Sequence, residues 1–522
     1  MIRRIALCLA IGLGAFPLVV HGATGAIVED VPIDSWVYQA LFELSSQGHV
    51  PTLLLHTQPY TRGEVALAVE AMRQERNLFA VGERIVLSRL EAEFAEELAD
   101  NAKRKTGQLI RLGGGPTAHS DQFKHGFTKN RIGADAIGSI TLSQTAAVRW
   151  RVRLDSDGRF DSQFHGEYWK EKFTAWVEQA VFSAQWRRVH LAFGREYWRW
   201  GRSPRDVMLL SDHSPPFDGL RAGYRGGKWS FSFHVTMLDS MNVTESDYLG
   251  PDGPTGTANR YLVAHRIDWR PRDNFEIALS EVMLFGGVDR PWALNYLNPF
   301  VPYYWEQLNS HTNDNPLWSV EMSWRPRRGL ELYGEWLLDD FQIDFTSEPQ
   351  QIGVLGGLAW TPEFAESRLF FNGEYQRINT TVYGQDRPWN RYFHYRDING
   401  NAVGIGSSLG PDADRFYFRT TCHVSPLLDV MGTIESIRRG EGRIDRPQES
   451  GVPKGLPFPS GIIEHETNLS AGLQLQYRGN LSATGEVGYA NVANAGHVKD
   501  FDRNGSFVRI KVAALMWRTF GI

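Results

Sequence analysis

The stretch VHLAFGREYWRWGRSPRDVMLLSDHSPPF, residues 189–217, decides how the rest of the chain reads. Val189, Leu191, Phe193 and Tyr197 fall on one face of an extended segment, and Arg188, His190, Ala192, Gly194 and Glu196 on the other. That is a strand with one apolar and one polar side. It runs into a loop carrying Trp198, Trp200, several arginines and the pair Pro215-Pro216, which neither continues the alternation nor forms a helix.

The same unit recurs. Val148, Trp150, Val152 and Leu154 alternate with Arg149, Arg151, Arg153 and Asp155; Leu330, Leu332, Trp336 and Leu338 alternate with Glu331, Tyr333, Glu335 and Asp339. Two kinds of connection take turns between such strands. Tight turns fall around Ser143-Gln144, Trp186-Arg187, Gly226-Gly227, residues 271–273, 326–329 and 361–367, Pro426-Leu427 and residues 478–480. Long connections fall near 117–129, 157–169, 198–215, 239–258, 286–312, 342–352, 380–412, 441–463 and 493–504. Short-long alternation is the layout of a membrane barrel with tight periplasmic turns and long external loops. Nine long loops and eight turns imply about eighteen antiparallel strands. The C-terminal segment FVRIKVAALMWRTFGI places Val508, Ile510, Val512, Ala514, Met516, Phe520 and Ile522 on one face, an apolar strand suited to barrel-insertion machinery.

Before residue 105 the pattern differs. MIRR, an apolar run to Val20, and HGATGA read as an export signal, residues 1–23, with cleavage possible after Gly22, Ala23 or Ala26. Residues 24–105 carry a helical period and are expected to form a small periplasmic bundle. Asp34 is placed to cap one helix, Thr61 and Glu64 have capping-box spacing, and a third helix spans about 81–98. The barrel is assigned to residues 106–522. The formal net charge of -5 becomes -7 without Arg3 and Arg4, which gives nucleic acid no basic surface. Without the leader only Cys422 remains, excluding an internal disulfide and a Cys-based zinc site.

On VPIDSWVYQAL and QPYTRGEVA near the start, GREYWRWGRSPRDVMLLSDHSPPF in the third long loop, LNYLNPF (Leu294 to Phe300) in the fifth, and the strand ends DWRPRD and SWRPRRG, the chain resembles the capsule assembly Wzi family. The resemblance implies an eighteen-stranded all-β transmembrane barrel with a helical bundle. It also implies a lectin that holds capsular or related exopolysaccharide at the cell surface, in the outer membrane. Its other expected partners are outer-membrane lipid, lipopolysaccharide and the insertion machinery, and a monomer is expected.

Sugar recognition uses aromatic faces and hydrogen bonds, with guanidinium groups for acidic polymers. The expected polysaccharide ligands are therefore Arg195, Glu196, Trp198, Arg199, Trp200, Arg202, Asp212 and His213 around the third loop, and Asn295, Tyr296, Asn298 and Trp305 in the fifth. Trp198 and Trp200 are two apart, so a persisting strand puts them with Glu196 on the lumen-facing side as a ledge for a sugar ring, with Arg199 and Arg202 available to acidic groups if the backbone turns at Gly201. A diffusion channel is the alternative, suggested by the charged inward faces. A lipid-modifying enzyme rests on Gly406-Ser407-Ser408-Leu409-Gly410, which has nucleophile-elbow spacing but no following helix. Asp155, Asp157 and Asp161 lack EF-hand spacing, and the histidines show no metal pairing, so no enzyme activity, metal or cofactor is expected.

Overall fold

A computed structural model describes residues 28–99, 109–123, 129–158, 164, 166–171, 173–248, 253–340, 351–397, 399–446, 457–477 and 480–521. The leader, the 100–108 junction, Asp161 and Ile522 lie outside them. The first nine strands are β1 (Leu109–Phe123), β2 (Lys129–Ser143), β3 (Ala146–Asp155), β4 (Thr174–Trp186), β5 (Val189–Glu196), β6 (Phe217–Gly226), β7 (Trp229–Val243), β8 (Gly256–Arg272) and β9 (Phe275–Val288). The remaining nine are β10 (Asn315–Arg327), β11 (Leu330–Asp340), β12 (Gln351–Trp360), β13 (Leu369–Ile378), β14 (Ala413–Ser425), β15 (Leu428–Arg439), β16 (Glu464–Tyr477), β17 (Leu481–Ala493) and β18 (Arg503–Ala514 continued by Met516–Gly521). Each pairs antiparallel with its neighbour, and β1 closes the ring on β18 with Ile110 opposite Phe520 and Ser120 opposite Ile510. This is the closed eighteen-stranded barrel expected from the loop pattern, and closure leaves no unpaired edge.

Among the described residues the tight turns and long loops alternate close to where the sequence placed them, though β7 runs on to Val243, opposite Gly256, rather than ending near residue 239. β1 continues to Phe123 rather than ending near residue 117, because Thr117 to Asp121 keep pairing with β2 and Thr117 to Phe123 with β18. Outward positions form an exposed apolar belt that includes Phe193, Met237, Ile267, Leu279, Met322, Leu473 and Val487. Trp186, Trp229, Trp269 and Trp324 stand at the tight-turn end as an aromatic girdle.

Three helices, α1 (Trp36–Ser46), α2 (Arg62–Gln74) and α3 (Val81–Glu93), pack around Leu41, Leu44, Val65, Val69, Leu87, Leu90 and Phe94. Thr61 and Glu64 form the capping box as read from their spacing. Ser35 caps α1 in place of Asp34, accepting a hydrogen bond from the Val37 amide at 3.3 Å, while Asp34 pairs with Arg151 at 2.8 Å. The bundle sits in the tight-turn end of the barrel. Arg270 donates to the Pro51 carbonyl, Arg89 to the Pro426 carbonyl, and the Gly82 amide to the Glu366 carbonyl.

The inward charges that suggested a water-filled channel largely pair with one another and with the bundle. Arg151 bridges Asp34, Asp135 and Glu178; fully buried Arg266 lies between Asp268 at 2.9 Å and Glu321 at 2.5 Å. His56 and Thr57 of the bundle complete that lattice, His56 2.9 Å from Glu321 and Thr57 donating to Asp268 at 2.8 Å. Such ions remain buried only because each has partners, so removing one strands the others.

Arg202 makes the sharpest case. It meets both oxygens of buried Glu331 at 2.6 and 2.9 Å, donates to Ser45 Oγ at 2.5 Å, and lies 4.4 Å from the Phe42 ring. Arg202→Ala is expected to leave Glu331 unpaired and cost about 3–5 kcal/mol. The check is the denaturant midpoint of the detergent-folded barrel, which should fall; an unchanged midpoint would show that this junction does not stabilise the fold.

Candidate functional site

The third loop folds into the lumen rather than over the mouth. Gly201, with φ +145°, turns the chain as expected, and a side chain there would strike Val207 at 2.2 Å. The extended pair Arg199–Trp200 then hydrogen-bonds in antiparallel register with Thr57–Gln58 of the bundle, and the Gly201 amide donates to the His56 carbonyl at 2.7 Å. Segments entering from opposite ends of the barrel meet in its interior.

Trp198 and Trp200 do face the lumen, but at 1 % and 0 % exposure they are core residues. Trp198 stacks on Phe217 at 4.7 Å and donates to Glu196 at 3.1 Å; both indoles lie against His234, at 4.5 and 4.8 Å. The seventh loop, residues 379–412, seals them from above. Tyr383 donates to the Met208 carbonyl at 2.6 Å, Tyr392 to the Leu209 carbonyl at 2.8 Å, and His394 stacks on Phe217. With Leu262, Val282, Leu284, Leu337 and Leu355 these residues fill the lumen beside β6 to β14 with a dry core. The ledge read from the sequence is therefore covered, because two loops collapse on it.

The other expected ligands separate. Glu196 is buried and receives Arg221 at 2.9 Å; Arg202 belongs to the bundle junction; Arg199 pairs with Asp212 at 2.9 Å, and Asp212 and His213 are half-buried. Arg195 shares the outward face with Leu191 and Phe193 and pairs with Asp218 outside the wall. Asn295, Tyr296, Asn298 and Trp305 also lie outside, in a loop laid on the outer surface. The wall of the barrel thus divides the twelve residues, and a single site cannot hold them all.

Solvent reaches the lumen on the opposite side. Along β15 to β18, β1 and β2 the inward residues Arg439, Glu466, Asn468, Glu486, Arg509, His119 and Arg131 are half-exposed, and Lys511 is exposed. Arg439 pairs with Glu466 at 2.9 Å, and Arg509 lies 3.8 Å from Glu486 and 4.0 Å from Asp121. Below them a cavity of about 470 Å³ separates the wall from the bundle, reached by Arg149, Arg151, Arg199, Asp212, Gln474, Thr484 and Lys511. Of the expected third-loop ligands, Arg199, Arg202 and Asp212 line it. The sequence signal for this wall was the charge alternation of the C-terminal strands, with Arg509 and Lys511 opposite the apolar face.

At the mouth the loops are laced by ions. Arg396 and Arg443 each meet Asp445 at 2.9 Å; burial pushes that carboxyl up, but their hydrogen bonds carry it down to about 2. The serines of the elbow-like sequence are structural. Ser407 and Ser408 both donate to Asp206, at 2.8 and 2.7 Å, beside Arg415, and the next element is strand β14 rather than a helix.

Because they are packed, Trp198→Ala and Trp200→Ala are each expected to destabilise the barrel by about 3–5 kcal/mol. The readout is the temperature at which the heat-modifiable band unfolds on a gel. A double variant unfolding where the parent does would contradict this packing and restore the open-ledge reading.

A family comparison and a solved structure agree on the architecture. The family described as capsule assembly protein Wzi matches residues 139–506. A solved Escherichia coli structure, described as Wzi, an outer membrane protein involved in group 1 capsule assembly and a carbohydrate binding β-barrel, is 13% identical and superposes with a TM-score of 0.63 over 94% of this chain and 100% of that one. Acinetobacter baumannii OccAB4 (12% identity, TM-score 0.43, 80% of this chain and 100% of that one) and Pseudomonas aeruginosa opdK (11%, 0.44, 79% and 99%) are more distant barrels. No curated protein sequence matches. With the closed barrel, the inserted bundle and a family match spanning most of the strands, the chain belongs to the Wzi capsule assembly family of outer-membrane β-barrels.

Proposed function

We propose that the protein is a surface lectin that holds capsular or related exopolysaccharide at the outer membrane, with the polar wall of β15 to β18, β1 and β2 as its glycan-facing surface. The observation that carries this reading is the half-filled lumen. Loops three and seven and the bundle occlude the side beside β6 to β14, while the facing wall keeps a solvent-reached row of Arg439, Glu466, Asn468, Glu486 and Arg509. Guanidinium groups suit uronate or pyruvyl carboxylates, and Asn468 and the carboxylates suit hydroxyls. The description of the Escherichia coli barrel as carbohydrate binding supports the same class of ligand. Each contact is weak in water, so retention depends on one long polymer meeting many copies of the protein.

Arg439→Ala with Arg509→Ala removes two half-exposed cations without emptying the core. The double variant is expected to assemble normally and to release surface polysaccharide into the medium; retention equal to the parent would place the glycan elsewhere. The 470 Å³ cavity favours a second reading, a narrow diffusion path between wall and bundle. Planar-bilayer recording separates the two: the lectin reading expects little stepwise current, and large stable conductance steps would promote the channel.

A further inference from the structure

The loop between β9 and β10, residues 289–314, does not project from the mouth. It descends the outside of the barrel. Tyr296 and Tyr303 are packed against Tyr261, Val263, Met283 and Phe285, all outward-facing residues of β8 and β9 that the loop buries. Phe300 stacks on outward Phe231 at 5.7 Å, and Phe231 pairs with Ile267. Ile267 is nine residues from Ala258 near the long-loop end, roughly 30 Å along the strand, and Phe231 stands two residues from the girdle Trp229. The loop therefore occupies the depth of the apolar belt.

We infer that this loop is a clip embedded in the hydrocarbon of the membrane, with lipid acyl chains covering its free face. Three independent features fit that environment. Leu294, Phe300, Trp305 and Leu308 are 75%, 81%, 64% and 55% exposed, continuous with the belt residues Ile267 and Leu279 at 50% and 53%. A loop in water has no reason to present so apolar a surface.

The second feature is a polar pair that the loop conceals. Outward Glu281 and His265 lie 3.0 Å apart at mid-wall, where an uncovered carboxylate in hydrocarbon is strongly unfavourable. The loop supplies the Tyr303 and Tyr304 amides to Glu281 at 2.8 and 2.9 Å, and the Pro299 carbonyl to His265 at 3.0 Å; Trp318 adds its indole N–H to Glu281 at 3.1 Å. Cover is needed at the depth where this loop lies.

The third is the backbone. Irregular chain survives in lipid only where its polar groups find partners. Here Pro291, Pro299 and Pro302 have no N–H, the amides of Tyr296, Asn298 and Val301 close local turns, the Phe300 amide donates to Asn298 Oδ1, and α4 (Tyr303–Asn309) begins on the Glu281 carboxylate. Asn295 donates to Glu306 at 2.8 Å and to Ser310 at 3.0 Å, so both asparagines hydrogen-bond within the clip.

Nitroxide labels at Phe300→Cys and Trp305→Cys, in the full chain with Cys422→Ala, test this in phosphatidylcholine vesicles. Met237→Cys marks the lipid belt and Asn401→Cys the exposed seventh loop. Expected is more frequent collision with dissolved oxygen than with a nickel chelate at 300 and 305, as at 237 and opposite to 401. Preference for the nickel chelate would put the loop in water, and protection from both would put a protein partner over it; either result overturns the inference. Leu308→Cys provides the same readout if a larger side chain proves necessary for folding.

Discussion

The two-residue pairing of Thr57–Gln58 with Arg199–Trp200 is the constraint on which the interior depends. One strand arrives from the bundle and the other from the third loop, so the pairing ties the two together inside the barrel. Around that contact the indoles of Trp198 and Trp200 form the dry half of the lumen, and Arg202 ties loop, bundle and wall together. A wide barrel holds water unless something fills it. Here the filling is one-sided, and the remaining side is the polar wall proposed to face the glycan.

Buried ions give this arrangement its specificity. Arg266 is set between Asp268 and Glu321 and Arg221 between Asp30 and Glu196, while Arg202 joins Glu331 to Ser45 of the bundle, so a displaced bundle would strip partners from several buried polar groups at once. The same logic works outside. Glu281 and His265 on the lipid side require a cover, and the fifth loop provides it, which links the position of an external loop to the chemistry of a strand.

The barrel was legible because its signal is periodic. Alternation fixes which residues face lipid, and Gly227 and Gly329 at positive φ mark turns that the sequence already showed. β1 was harder to delimit, since Thr117 to Gln122 are polar or small on both faces and give alternation nothing to act on. The site was much less legible. Trp198 and Trp305 sit in equally aromatic, proline-flanked loops, yet one is core and the other faces outward from the wall. Nothing local distinguishes them, because the direction in which a loop collapses is set by distant partners such as Thr57, Tyr392 or Glu281. Arg195 could have been placed by parity with Leu191 and Phe193, and Asp34 missed its capping role because Arg151 offers it a stronger partner.

The filled half of the lumen requires the third loop to reach the bundle inside the barrel. Gln58 and Arg199 are opposed Cα partners, and the 4.5–5.5 Å typical of such antiparallel pairs suits a disulfide. In a Cys422→Ala background, Gln58→Cys with Arg199→Cys should oxidise to a crosslink that resists maleimide until reduced. Two thiols that both react with maleimide in the assembled, unreduced barrel would mean that loop and bundle do not meet, and the account of the interior would fail.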